Sequence, residues 1–216
     1  VNGKPVREFV DLLAARDEAA GKPLTVGFVR NQQSRTLQLS NYPVVTAESA
    51  SGPEFKSLPL AAKEDVAPIK AITTRPGTAD EPVGTLSDGH LASNYGPVFR
   101  NSVAQGLYKL DLGKPTAIAS VTSWSFHQNR IRGTQHFTLF GSSTEKDPGW
   151  DVEKRGNLTP IATVRSTCTG EFHATRIHGD SASLGTYRWL VWAVTPVTAK
   201  GENTAFQEFQ VTTTKH

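Results

Sequence analysis

Between Ser125 and His136 the chain gathers His127, Gln128, Asn129, Arg130 and Arg132 into one stretch, directly after Trp124 and Phe126. Flat aromatic surface beside directional donors and acceptors suits stacking and hydrogen bonding to a polar ring, which is recognition rather than bond making. The alternative is a solvated polar loop with Trp124 in the core. A second ring, Trp150, sits in the turn sequence DPGWD (Asp147 to Asp151), either as another platform or packed on the preceding strand. A third feature is LSDGHLASNYGP (Leu86 to Pro97), where the turn-former Asp88-Gly89 leads into polar sequence. It is either an ordinary loop or one half of an oxygen-lined cation site.

Signatures of enzymes are missing. The sequence contains no G-x-S-x-G, P-loop, H-E-x-x-H or paired-cysteine motif, and no particular pair of carboxylates stands out. The chain therefore reads as non-catalytic. His173 and His178 are five residues apart on an expected strand, and an odd separation puts them on opposite faces rather than on one metal. Arg176 and Arg188 read as ion partners on strand faces. Cys168 is the single cysteine, so no internal disulfide forms, and it reads as an incidental or buried thiol. A net charge of +3 with no basic run argues against a nucleic-acid partner. No apolar run is long enough to span a membrane. No signal peptide is visible, and the absence of methionine marks residue 1 as something other than a translation start, so the chain reads as a piece of a longer protein.

Three zones must position these residues. In residues 1–42, Asn2-Gly3 is a turn signal, and Val6, Phe9, Val10, Leu12 and Leu13 fall at helical spacing with Gly21 as a stop. Leu24, Val26 and Phe28 then alternate as a strand, and a second strand over Thr36 to Leu39 follows an Asn31-Gln32-Gln33 turn. Residues 43–81 are rich in Pro, Ala, Ser, Thr and charge with weak periodicity, and read as a linker or an extended segment packed on a neighbour. Residues 82–216 carry short strands at Leu107 to Leu112, Ile118 to Phe126, His136 to Phe140, Thr159 to Val164, Glu171 to Ile177, Thr186 to Val194 and Ala205 to Thr213. This density of strands without a helical pattern predicts a β-sandwich. The run YRWLVWAV (Tyr187 to Val194) is apolar on both faces, as a central strand would be.

Two resemblances add to this. VNGKPV, DLLAA, PLTVGFVRN and RTLQL, all within residues 1–42, resemble the C-terminal half of a bacterial PDZ-like domain, which implies a small α+β unit and a possible protein partner. The peptide-binding loop and edge strand of that family belong to the half that these residues do not match. In residues 82–216, the ordered set LSDG, LYKLDLG, SVTSWS, FTLFGSS, TYRWLVW and TAFQEFQV resembles the galactose-binding-like or discoidin jelly roll. That resemblance implies a mainly β fold, a jelly-roll β-sandwich, in a secreted or cell-envelope (periplasmic) protein. It also implies a glycan or glycoconjugate as ligand, met by Trp124, Phe126, His127, Asn129, Arg130 and Arg132. It further implies that the first loop and the last strand lie side by side and share a structural calcium ion, a hard cation that takes six to eight oxygens. Carboxylates of Asp88 and Glu208, the Ser93 hydroxyl, and backbone carbonyls of His90 and Ala205 would be its ligands. His90 departs from the Asp or Asn common there, and the alternative is a metal-free turn with Glu208 bonded to loop amides. The runner-up function is a structural or protein-interaction domain of a multidomain protease-like or scaffold protein that binds no sugar.

Overall fold

The computed structural model describes residues 1–6, 15, 18–19, 22–39, 45–52, 58–75, 83–91, 106–127, 132–154, 156–179, 183–198 and 204–214. Among the described residues there are ten strands: β1 (Leu24–Arg30), β2 (Gln33–Leu39), β3 (Val45–Ser51), β4 (Ala71–Thr74), β5 (Gly106–Phe126), β6 (His136–Ser142), β7 (Thr159–Arg165), β8 (Phe172–Gly179), β9 (Gly185–Val194) and β10 (Phe206–Thr213). The fold is mainly β, a sandwich of the jelly-roll kind.

β5 organises it. The sequence suggests two strands, and the structure joins them into one of 21 residues. Its first half is flanked by β4 and β9, its second half by β8 and β10, all antiparallel. The strand bends where its register with β9 slips between Asp111 and Thr116. Gly113 takes a φ of +78° there, a value costly for any residue with a Cβ, and its N–H donates to Asp111 Oδ1 at 2.7 Å. The main path of the sheet runs β3-β8-β5-β9-β6-β7, which makes β9 a central strand, as its two apolar faces require.

Alternation sorts the side chains. Tyr108, Leu110 and Leu112 of β5 enter the main core with Leu190 and Trp192 of β9 and Phe206, Phe209 and Val211 of β10. Trp192 stacks on Phe209 at 4.4 Å between centroids, and Tyr108 meets Phe206 and Phe209 edge-on. Each such ring contributes roughly 1.5–3 kcal/mol by leaving water. Two smaller apolar clusters cover the outer faces. Trp124 and Ala174 lie under Leu58, and Leu107 and Val191 pack with Phe140 and Leu158.

The stretch 43–81, read from sequence as linker or packed extended chain, contributes β3 and β4 to the sheet, and Val66 bridges to Thr212. Its strands alternate small and polar residues (VTAESAS, AITT), so they lack the apolar signal of the others. β1 and β2 form a separate hairpin, in register from Leu24–Leu39 to Arg30–Gln33. Its two-residue turn has positive φ at both Asn31 and Gln32, the geometry that matches strand twist. Ala15, Glu18 and Ala19 are helical, and the other residues expected in that helix, apart from Val6, lie outside the described ones.

Candidate functional site

The Asp88 turn and β10 are neighbours. Gly89 N–H donates to Glu208 Oε1 at 3.2 Å, and His90 N–H donates to Asp88 Oδ1 at 2.9 Å. The His90 ring sits 2.9 Å from the Asp88 carbonyl through Nδ1. Glu208 is buried, and its Oε2 finds no hydrogen-bond partner among the described residues. Burial, followed by the nearby Asp88 charge, pushes its carboxyl up to about 8, against the pull of the Gly89 amide. A buried carboxylate oxygen without a donor, next to a second carboxylate, is donor chemistry that suits a hard cation. Among the described residues no group of three His, Cys, Asp or Glu side chains comes together, so further ligands would be carbonyls or hydroxyls. The Ala205 carbonyl already accepts the Phe126 N–H at 3.0 Å, which leaves it one lone pair. Ser93 lies outside the described residues.

At the loop after β5 the structure takes the alternative for Trp124, which stands in the core. Trp124 is fully buried, and its Nε1 donates to the Leu58 carbonyl at 2.8 Å. Phe126 is also buried, edge-on to Phe172 at 5.3 Å. Neither ring can serve as a stacking platform: Leu58, Leu60 and Leu91 pack over Trp124, and Ala174 and Phe172 of the neighbouring β8 flank it. His127 and Arg132 are half-buried, and Asn129 and Arg130 lie outside the described residues. The described ends of the loop are fastened inward. Ser125 Oγ donates to the Gly133 carbonyl at 2.6 Å. Buried Gln135 accepts from Ser123 Oγ at 2.6 Å and donates to Ser125 Oγ at 3.1 Å.

The ring that does reach a concavity is Trp150. The long β6–β7 connection lays it over the outer face of the sheet, half-buried against Leu107 and Val191. It lines a groove of about 500 Å³ together with Leu107, Val194, Thr195, Arg75 and Glu153. Asp151, also on the lip, is tied into its own loop: Oδ1 accepts the Lys154 N–H at 3.0 Å and Oδ2 pairs with Lys154 Nζ at 3.0 Å. The ammonium of Lys109 stands over the ring, 3.8 Å from the Trp150 centroid. Lys109, Arg75 and Glu153 were not singled out from sequence. The alternation of LYKLDL places Lys109 on the face opposite Tyr108 and Leu110, and that was the available signal.

The histidines and arginines of β8 and β9 fall as expected. His173 lies between Ser51 Oγ and Ser166 Oγ, while His178 meets Thr46. Arg176 pairs with Glu48, and Arg188 grips Asp111 through Nε and Nη2 at 2.9 and 3.1 Å.

No protein-family model matches this chain, and no curated protein matches it. Solved structures do. The chain is similar to the CBM32-1 and CBM32-2 domains of Clostridium perfringens ZmpB, at TM-score 0.47 and 11% identity over 78% of this chain and 41% of that one. It is similar to the CBM32 of AlyQ in complex with 4,5-unsaturated mannuronic acid, at 0.46 and 16% over 68% and 96%. A chitosan-binding module from a Paenibacillus sp. IK-5 chitosanase/glucanase follows at 0.43 and 15% over 68% and 97%. The chain spans 17% of a longer ZmpB structure that includes its M60 catalytic domain.

Proposed function

We propose that this chain is a non-catalytic carbohydrate-binding module of a larger secreted or envelope protein, and that sugar binds in the Trp150 groove. One observation carries this reading: a half-buried indole forms part of the wall of an open groove whose lip mixes donors and acceptors. A pyranose presents C–H groups on its faces and hydroxyls around its edge, so it asks for an aromatic surface plus both kinds of hydrogen-bonding group. Trp150 offers the first; Arg75, Thr195 and Glu153 offer the second. Of the charged lining residues, Asp151 is paired with Lys154 from outside the lining and Arg75 offsets Glu153, which favours an uncharged sugar over an acidic or amino sugar. Calcium held by Asp88 and Glu208 would be structural, fastening the turn to the last strand and lying apart from the groove's own residues.

The experiment is a glycan array followed by calorimetry on the bound sugars, with the native chain and Trp150→Ala. Loss of about tenfold or more in affinity is expected for a stacking ring of this kind. Equal affinity without the ring would move the site elsewhere.

A protein contact through the PDZ-like unit is a second reading, favoured by one observation. Phe28, Val29, Leu37 and Leu39 are exposed on the β1–β2 hairpin.

A further inference from the structure

Lys109 is a cation in an apolar place. It lies on the outer face of the sheet between Leu107 and Asp111, and it is 3% exposed. Such a residue is almost never buried unless it is paired, since a desolvated ammonium is costly. Its partners come from one short turn. Nζ donates to Asp147 Oδ1, lies 3.4 Å from the Gly149 carbonyl, and faces the Trp150 ring. Trp189 gives a second, more distant ring at 5.8 Å. The turn is also closed on itself: Asp147 Oδ1 accepts the Gly149 N–H at 2.8 Å, and Gly149 takes a φ of +84°. One ammonium therefore fixes the carboxylate, the carbonyl and the indole of residues 147–150 against β5.

A purely apolar side chain at 109 would cover the same sheet surface without desolvating a charge, so burial alone does not account for lysine here. A cation has one property that an apolar side chain lacks. It sets the angle of the indole, because attraction to the ring is strongest over its face. We propose that Lys109 is the positioning residue of the groove: its ammonium occupies one side of Trp150 and holds the ring in the orientation that a sugar meets. The inference rests on the sugar-binding reading of the groove. It adds the residue that prepares the platform before ligand arrives, which lowers the ordering cost of binding.

The test separates the two ideas. Emission from Trp150 is isolated by difference against Trp150→Phe, and its quenching by acrylamide is measured in the native chain, Lys109→Met, Lys109→Arg and Asp147→Asn, alongside calorimetry with galactose and lactose. Lys109→Met is expected to raise the Trp150 quenching constant about twofold and weaken sugar binding about tenfold, with Lys109→Arg recovering most of both. Asp147→Asn keeps the lysine, removes its counter-charge, and moves both readouts the same way; it serves if Lys109→Met does not fold. A structural role alone would lower the melting temperature in all the variants without the recovery of ring orientation by arginine. Unchanged Trp150 quenching in Lys109→Met and Asp147→Asn overturns the proposal. A native chain that binds neither these sugars nor any glycan on the array overturns the sugar reading, while the quenching data still decide the role of Lys109.

Discussion

Gly89 N–H and Glu208 Oε1 meet at 3.2 Å across 119 residues of sequence, joining the first acidic turn of the sandwich to its last strand. The second oxygen of the same carboxylate is buried without a donor among the described residues, and the group holds its proton up to about pH 8 rather than 4.5. The sign of the resulting pH effect is fixed. Between those two values the folded chain keeps a proton that the unfolded chain has released, so without a cation stability falls as pH rises from about 4.5 to about 8. A bound calcium ion favours the ionised carboxylate and so narrows the pH window over which that stability is lost. At a hundredfold excess over its Kd the ion would add about 2.7 kcal/mol, a Tm rise of roughly 5–10 °C. The rise should be larger at pH 8 than at pH 5.5 and absent in Glu208→Gln. Calorimetric melts with calcium and with chelator check it; identical melts at both pH values leave the metal-free turn as the correct reading.

His173 slopes the other way. It is buried between Ser51 and Ser166, and burial, with the neighbouring His127, lowers its imidazole from 6.5 to about 4. The folded chain holds it neutral while the unfolded chain takes up a proton, so the stability it contributes is present above about pH 6.5 and is lost as pH falls toward 4. His173→Asn should flatten the stability profile in that window relative to the native chain. A His173 imidazole C–H resonance, identified by its absence in His173→Asn, that titrates near 6.5 in the native chain would contradict this.

Trp124 and Trp150 should separate stability from binding. Trp124→Ala opens a cavity beneath Leu58 and leaves a carbonyl unpaired, at a cost of about 3–5 kcal/mol, with sugar affinity unchanged in the fraction that stays folded. Trp150→Ala should do the reverse, removing binding at the smaller stability cost of a half-buried ring. Denaturant melts and calorimetry on the same two preparations read both quantities. A loss of affinity in a folded Trp124→Phe chain would return attention to the loop after β5.

Gly141 offers a packing test away from the groove. A Cβ built there would lie 2.5 Å from Cδ1 of Tyr187, and the ring of Tyr187 also closes on Gly185. Gly141→Ala should cost about 1–3 kcal/mol, and Tyr187→Leu in the same chain should recover part of it. Additive losses in the double variant would show that the ring is not what excludes the methyl group.

The strands of the sandwich were legible because alternation and β-branched runs survive wherever one face meets the core, as in LYKLDL and HFTLF. Burial of Trp124 stood only as one of two readings. Its neighbours Ser123 and Ser125 suggest a polar edge, yet those hydroxyls are spent on Gln135 and Gly133 inside the fold. The cover over Trp124 comes from Leu58, in sequence with no period to read. The closeness of Asp88 and Glu208 followed from a family resemblance and not from the residues themselves, since nothing local in either segment specifies a partner 120 positions away. Lys109 was hidden for a further reason: an outward lysine on an alternating strand is the ordinary solvated case, and only the fold of the β6–β7 connection buries it.

The sandwich extends upstream of residue 82 through β3 and β4. A sequence boundary at residue 82 would discard β3, which pairs with β8 from Val45–Gly179 to Ser51–His173, and β4, which flanks β5. It would also remove Leu58 from Trp124, and Ala67, whose N–H donates to the Val211 carbonyl at 2.8 Å. The strands β8 and β5 would then present open edges, and Trp124 would lose the cover of Leu58. A chain of residues 45–216 should melt cooperatively by circular dichroism, with its near-ultraviolet aromatic signal intact, whereas residues 82–216 should lose that signal and aggregate. If the shorter chain melts as the longer one does, β3 and β4 are appendages, and the covering of Trp124 is incidental to the fold.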